Sequence, residues 1–160
     1  MERGSQTIVV DASVVIKWFI PEVDSDKAVR LRDRHIEGSL TLLAPDLLVY
    51  EVANALSYHP DLSLKEIKED LEALLMLDLD LIQPSGEFVS SIAEDARKYS
   101  VSVYDSSYLA LAEATSSCLV TADERLHMRA KKAGCIQMLD EYDESQPGTR
   151  RNSRDDRTKR

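Results

Sequence analysis

Short apolar runs alternate with longer amphipathic stretches along almost the whole chain, and that alternation leaves few folds open. The runs Ile8-Val9-Val10, Leu40 to Ala44 and Cys118-Leu119-Val120 are too brief for helices. They are apolar on successive residues, as strands covered on both faces are. The reading along the chain is a strand at about 7–10, a helix at about 12–20 stopped by Pro21, and a helix at about 25–37 ended by Gly38. A strand from Leu40 to Ala44 leads into a helix at about 46–58, which Pro60 terminates. Ser63-Leu64-Lys65-Glu66 has the form of a capping box and opens a helix whose Leu64, Ile67, Leu71, Leu74 and Leu75 form an apolar stripe for core or interface. A strand at about 80–83 precedes an amphipathic helix that turns Phe88, Val89, Ile92, Ala93, Ala96 and Tyr99 inward. A short extended segment at 102–104, a helix at 105–116, a strand at 118–121, a helix at 123–133 stopped by Gly134 and a strand at about 135–139 complete the pattern. Strands and helices in alternation predict an α/β chain, a three-layer α/β/α sandwich around a mostly parallel sheet.

At 160 residues and 43% hydrophobic content the chain has the size and composition of one soluble domain. We place that domain at 7–142, with 1–6 and 143–160 disordered, because apolar residues vanish from the C-terminal segment. No apolar stretch reaches the roughly 18 residues of a membrane span, and the first six residues lack the apolar core of a signal peptide. The expected location is cytoplasmic, with no membrane partner. Cys118 and Cys135 have no metal-site spacing and read as free thiols, and His35, His59 and His127 read as surface residues. The net charge of −9 is unevenly spread: residues 145–160 hold six Lys/Arg against two Asp, and the remainder fourteen against twenty-seven Asp/Glu. So acidic a body argues against a pure nucleic-acid-binding module, since any such partner needs local basic patches, bound cations or the tail.

Four acidic residues stand where the pattern demands an explanation. Asp11 ends the first apolar run, Asp105 follows Val101 to Tyr104, and Asp123 follows the run at 118–120. Each is thereby expected at or near the carboxyl end of a strand, where open α/β sheets bind their ligands. Each also has a plain alternative as a helix N-cap. For Asp123 that alternative is weaker, because Thr121-Ala122-Asp123-Glu124 already offers a capping box. Glu51 interrupts a helix that is apolar around almost its whole circumference, and no Lys or Arg occurs between Gly38 and Lys65. A buried carboxylate there needs a proton, a distant basic partner or a metal. Asn54 lies three residues on from Glu51, Ser13 two after Asp11, and Thr121 two before Asp123, so each can serve as a supporting hydrogen-bonding group or simply cap a local turn.

Carboxylates gathered in one crevice repel one another unless a cation sits among them. Hard oxygen ligands select Mg2+ or Mn2+. Such ions activate water and stabilise the leaving oxygen of a phosphodiester, which makes metal-assisted hydrolysis of nucleic acid the leading chemistry.

At these same residues the chain resembles the PIN-domain nucleases, and most closely the toxins of VapBC-type toxin-antitoxin modules. The resemblance runs from about Ile8 to Leu139 and rests on VVDASVVIKWF, PDLLVYEVANAL, VYDSSYLALA and VTADERL. It implies a five-stranded parallel sheet and an Mg2+-dependent endoribonuclease, with Asp11, Glu51, Asp105 and Asp123 holding the metal and the attacking water. It also implies an RNA substrate, a homodimer, and a cognate antitoxin protein that silences the enzyme. The basic tail after Glu144 is not part of that family pattern.

If RNA binds, Lys17, Arg125 and Arg129 are the candidate phosphate contacts, extended by Lys131 and Lys132, although the same cations suit a solvated helix face. Trp18, Tyr104 and Tyr108 could stack on bases, with core packing the favoured reading for all three. Two rivals remain. A non-catalytic PIN-like scaffold for RNA or protein should have lost acids, and this chain keeps all four. An aspartyl phosphatase would carry a second Asp where Ser13 stands. Neither G-x-G-x-x-G nor G-x-x-x-x-G-K-[ST] occurs.

Overall fold

A computed structural model describes residues 5–145. Five strands form one wholly parallel sheet: β1 (Gln6–Val10), β2 (Leu40–Pro45), β3 (Asp80–Ile82), β4 (Cys118–Thr121) and β5 (Ile136–Met138), in the order β3-β2-β1-β4-β5. The register is fixed by pairs such as Gln6 with Leu40, Ile8 with Cys118 and Thr121 with Met138. Among the described residues seven α-helices connect and cover the sheet as a three-layer α/β/α sandwich: α1 (Ala12–Val15), α2 (Ser25–Ile36), α3 (Leu47–Ser57), α4 (Leu64–Met76), α5 (Gly86–Tyr99), α6 (Val103–Ala114) and α7 (Glu124–Ala130). The chain steps outward from β1 to β2 and β3, then returns to the other side of β1, so the sheet reverses its winding between β1 and β4. Ligand crevices of doubly wound sheets open at such a point.

Local sequence explains most of these boundaries. Gly38 and Gly134 adopt φ of 80° and 73° after their helices, a conformation that L side chains resist. The capping box forms as expected: Ser63 Oγ accepts from the Glu66 N–H, and Glu66 accepts from Ser63 N–H. The core joins β1, β2 and β4 (Ile8, Val9, Val10, Leu42, Leu119, Val120) to Leu48, Val52, Leu56, Tyr108 and Leu109 from α3 and α6. Trp18 is buried and donates its Nε1–H to Ala28 O.

Several expectations change. The first helix is only α1 followed by a 3-10 turn, Ile16–Trp18, and α7 likewise gives way to a 3-10 turn at Lys131–Ala133. No strand forms at 102–104, because Val103 and Tyr104 face solvent and Ser102 starts α6 instead. Tyr104, 63% exposed, is therefore no core residue. In the α4 stripe Ile67 and Leu74 are buried while Leu64 and Leu75 are exposed; on α5, Val89 and Ala93 face outward and Asp95 is buried in their place. His35 is not a free surface residue: its Nδ1 accepts from Leu42 N–H and its Nε2 meets Leu77 O, bridging α2 to β2 and to the end of α4. Among the described residues no helix is long and apolar enough to cross a membrane. Of the segments expected to be disordered, residues 1–4 and 146–160 lie outside the described residues, whereas Gln6 pairs within β1 and Glu144 meets Arg30 and Arg34.

Candidate active site

Asp11 follows directly on the carboxyl end of β1, beside β4, where the winding of the sheet reverses. Its backbone N–H donates to Val120 O at 3.0 Å, which ties it to the seam between the two strands. The side chain is 5% exposed and makes no capping bond to α1, so the N-cap alternative fails here. Instead its Oδ2 accepts from Ser13 Oγ at 2.6 Å and from Thr121 Oγ1 at 2.9 Å. Both hydroxyls are themselves held by backbone: Ala122 N–H donates to Ser13 Oγ, and Asp123 N–H to Thr121 Oγ1. Ser13 and Thr121 thus both hydrogen-bond Asp11.

Asp105 and Asp123 arrive differently from the way the pattern suggests. Asp105 follows no strand; it occupies the first turn of α6, where Ser102 Oγ, the true N-cap, accepts its backbone N–H at 3.0 Å. Relieved of capping, its carboxylate is half-buried on the crevice side. Asp123, by contrast, does cap α7, with Oδ1 accepting from Arg125 N–H and Leu126 N–H at 2.9 and 3.1 Å. The Thr121–Glu124 box does not form, because the Thr121 hydroxyl is turned to Asp11. One oxygen of Asp123 is therefore structural.

Glu51 sits on α3, which is apolar and buried along Leu48, Val52 and Leu56 but exposes Tyr50, Asn54 and Ser57. Glu51 itself lies between these faces, half-buried, and its Oε1 accepts from Tyr108 Oη at 2.7 Å. Asn54 is exposed, and among the described residues no hydrogen bond ties its side chain to Glu51. The helix is less enclosed than its composition implies, since an aromatic such as Tyr50 can remain in water at 75% exposure.

The four carboxylates form one electrostatic unit. Asp11 interacts with Asp105 and Asp123, Glu51 with Asp11 and Asp105, and Asp105 with Asp123. Burial is the first cause that lifts Asp11, Glu51 and Asp105 above the ordinary carboxylate range, and repulsion between them adds to it. Hydrogen bonds from Ser13 and Thr121 to Asp11, and from Tyr108 to Glu51, pull the other way. Arg125 and Arg129 favour the charged form of Asp105, yet among the described residues no Lys, Arg or His comes within ion-pair distance of any of the four acids.

The basic candidates divide. Lys17 is committed elsewhere, its Nζ donating to Glu22 and to Val23 O with the side chain only 11% exposed. Arg129 donates to Ser100 O, which holds the α5–α6 connection beside α7, and Arg125 forms no ion pair among the described residues. A residue absent from the sequence-derived site is Tyr108 as a partner of Glu51. Its signal was a phenol one helical turn beyond Asp105 and followed by apolar residues, whose hydroxyl has to find a partner once buried.

The chemistry of this donor set fits a hard divalent cation: four carboxylates, three of them biased toward protonation, with no counter-charge among them. Their spacing is not that of a closed ligand shell, because among the described residues no three His, Cys, Asp or Glu side chains are gathered as a metal would gather them. The acids are close enough to feel one another and too far apart to chelate without side-chain movement.

Comparison with known proteins gives a consistent family. Residues 8–132 match the family model described as PIN domain. "Ribonuclease VapC3" of Pyrobaculum aerophilum is 35% identical over 127 residues, covering 74% of this chain and 91% of that protein. Among solved structures, PAE2754 of Pyrobaculum aerophilum aligns with a TM-score of 0.60 at 22% identity, over 88% of this chain and 93% of that one. VapC20 of Mycobacterium tuberculosis, described as a sarcin-ricin loop cleaving toxin, aligns with a TM-score of 0.59 at 12% identity, over 76% and 93%. At such identities the two structural likenesses are of fold.

Proposed function

This chain belongs to the PIN-domain family, among its VapC-type members, and on that premise we propose that it is a Mg2+- or Mn2+-dependent endoribonuclease. We further propose that it acts as the toxin of a toxin-antitoxin pair, with RNA as substrate, a cognate antitoxin as partner and a homodimer as its assembly. The observation that carries the catalytic reading is the mutual repulsion of Asp11, Glu51, Asp105 and Asp123 in one crevice without an ion-paired base. The curated relative's name, a ribonuclease, supports the substrate class.

In this reading Asp11, Glu51, Asp105 and Asp123 hold the cation, which when bound supplies charge neutralisation and Lewis-acid activation of water and phosphate. Asp11 is the fixed member, because Ser13 and Thr121 leave its carboxylate one orientation. Glu51 and Asp105, half-buried and raised by burial, orient the attacking water and take up its proton as the new P–O bond forms. The bond to the leaving oxygen then breaks, and that oxygen is protonated from solvent or from the same carboxylates. Asp123 contributes one oxygen while the other keeps α7 capped. Arg125 in the first turn of α7 and Arg129 in its last face the incoming phosphates, whereas Lys17 serves its own loop.

A non-catalytic PIN-like scaffold that binds RNA or protein is the second reading, and it draws on the open spacing of the acids. One assay separates the two. Purified protein is incubated with single-stranded and hairpin RNA in Mg2+, in Mn2+ and in chelator. Cleavage that needs the metal and is lost in Asp11→Asn and Asp105→Asn is expected; cleavage that survives chelator or both substitutions contradicts the proposal, and RNA binding without cleavage selects the scaffold.

A further inference from the structure

The hydroxyl of Tyr108 is a junction between the elements that carry three of the four acids. Tyr108 belongs to α6, three residues beyond Asp105 and therefore close to it along the same side of the helix. Its ring is fully buried, and its Oη donates to Glu51 Oε1 of α3 at 2.7 Å. The backbone of Ala12, the residue after Asp11 at the start of α1, acts electrostatically on the same hydroxyl. One phenol thus holds Glu51 and senses the neighbour of Asp11 from the helix that bears Asp105.

Packing alone does not require this hydroxyl, since phenylalanine would fill the same space. Glu51 does require a donor. Its charged neighbours in the crevice are Asp11 and Asp105, both of which repel it, and its helix has an exposed side toward which the carboxylate could turn. Among the described residues Tyr108 is the side chain that hydrogen-bonds Glu51 and holds it inward against that repulsion. A phenol supplies that donor as an O–H group without adding a charge.

We propose that Tyr108 is a positioning residue for the acidic centre: its hydroxyl fixes Glu51 in the orientation from which the carboxylate meets the cation and the attacking water. This rests on the nuclease reading given above, so the test keeps the two apart. Wild type, Tyr108→Phe, Glu51→Gln and the double variant are compared in full-length form. The measurements are Mn2+ affinity by calorimetry, melting temperature in chelator, and kcat and KM on a pool of random-sequence hairpin RNAs. Tyr108→Phe is expected to melt cooperatively, to bind Mn2+ about 10-fold more weakly and to lose roughly 10- to 100-fold in kcat at unchanged KM, the range for partners that orient a metal ligand. In the double variant, nothing beyond the loss of Glu51→Gln is expected, because the hydroxyl acts through Glu51. Mn2+ affinity and kcat equal to wild type, losses that add fully in the double variant, or a Tyr108→Phe chain that fails to fold would each overturn the assignment. A wild type that neither binds Mn2+ nor cleaves RNA would overturn the nuclease reading itself and this inference with it.

Discussion

The two ends of the parallel sheet treat charge in opposite ways. At the amino ends of the strands, unlike groups meet: Glu144 pairs with Arg30 at 3.6 Å and Arg34 at 3.9 Å, Arg34 donates to Gln6, and Gln6 donates to Tyr142. At the carboxyl ends Asp11, Glu51, Asp105 and Asp123 repel one another, the first three hydrogen-bonded by hydroxyls and Asp123 by backbone N–H groups of α7, none of them by a cation among the described residues. At the first end Glu144 has a base within ion-pair distance, although Arg34 Nη1 itself lacks a hydrogen-bond partner, whereas in the crevice no base among the described residues comes that close. An arrangement that disfavours the empty folded protein and favours a bound cation is what a metal-dependent site requires.

The sharpest way to break this comparison is to remove charge at each end in turn. Asp105→Asn is expected to lower metal-dependent RNA cleavage by roughly 100- to 1,000-fold, the scale on which preorganised charge contributes to catalysis. Glu144→Gln, at the other end, should leave kcat unchanged in the same gel assay.

Stability should move in the reverse sense. Asp11 is raised above its ordinary value of 3.8, so its ionisation opposes folding. Its contribution is intact below that value and is lost as pH climbs through the raised one. Asp11→Asn keeps an oxygen acceptor for Ser13 and Thr121 and removes the charge. In chelator near pH 7.5 the variant should be more stable than the parent in urea unfolding, with the difference fading toward pH 4. A variant less stable than the parent at neutral pH would show that the crevice is not strained by its own charge.

Smaller effects come from the satisfied parts of the molecule. His35→Ala removes the bridge from α2 to Leu42 and Leu77 and should cost about 1–2 kcal/mol, with little dependence on salt. Glu144→Gln should cost less than about 1 kcal/mol and only at low ionic strength, because its pairs are partly exposed. A salt-insensitive loss in the second variant would mean that packing, not charge, holds that end together.

The sheet was legible because its strands are short, apolar on both faces and separated by strong stop signals such as Pro21, Gly38, Pro60 and Gly134. Asp11 was legible for the same reason, since a charged residue ending the run at 8–10 has few places to go. Asp105 was found by a wrong route: Val103 and Tyr104 look like strand residues, yet Ser102 offers a better start to a helix, and local capping prevailed over β-propensity. Nothing in the spacing of Lys17 announces the nearby Glu22 and Val23 carbonyl that hold it. The bond from Tyr108 to Glu51 spans 57 positions along the chain and depends on the register of α6 against α3, which no local pattern encodes.

On the nuclease reading proposed above, the crevice is unfavourable when empty and favourable when filled by a hard divalent ion. Thermal unfolding of the full chain near pH 7.5, in chelator and then across micromolar to millimolar Mn2+, measures that directly. The expected result is a concentration-dependent rise of several degrees in wild type, about 2.7 kcal/mol when the ion is at 100 times its Kd, and little or no rise in Asp11→Asn. A melting temperature that stays flat in wild type, or rises equally in both proteins, would contradict it.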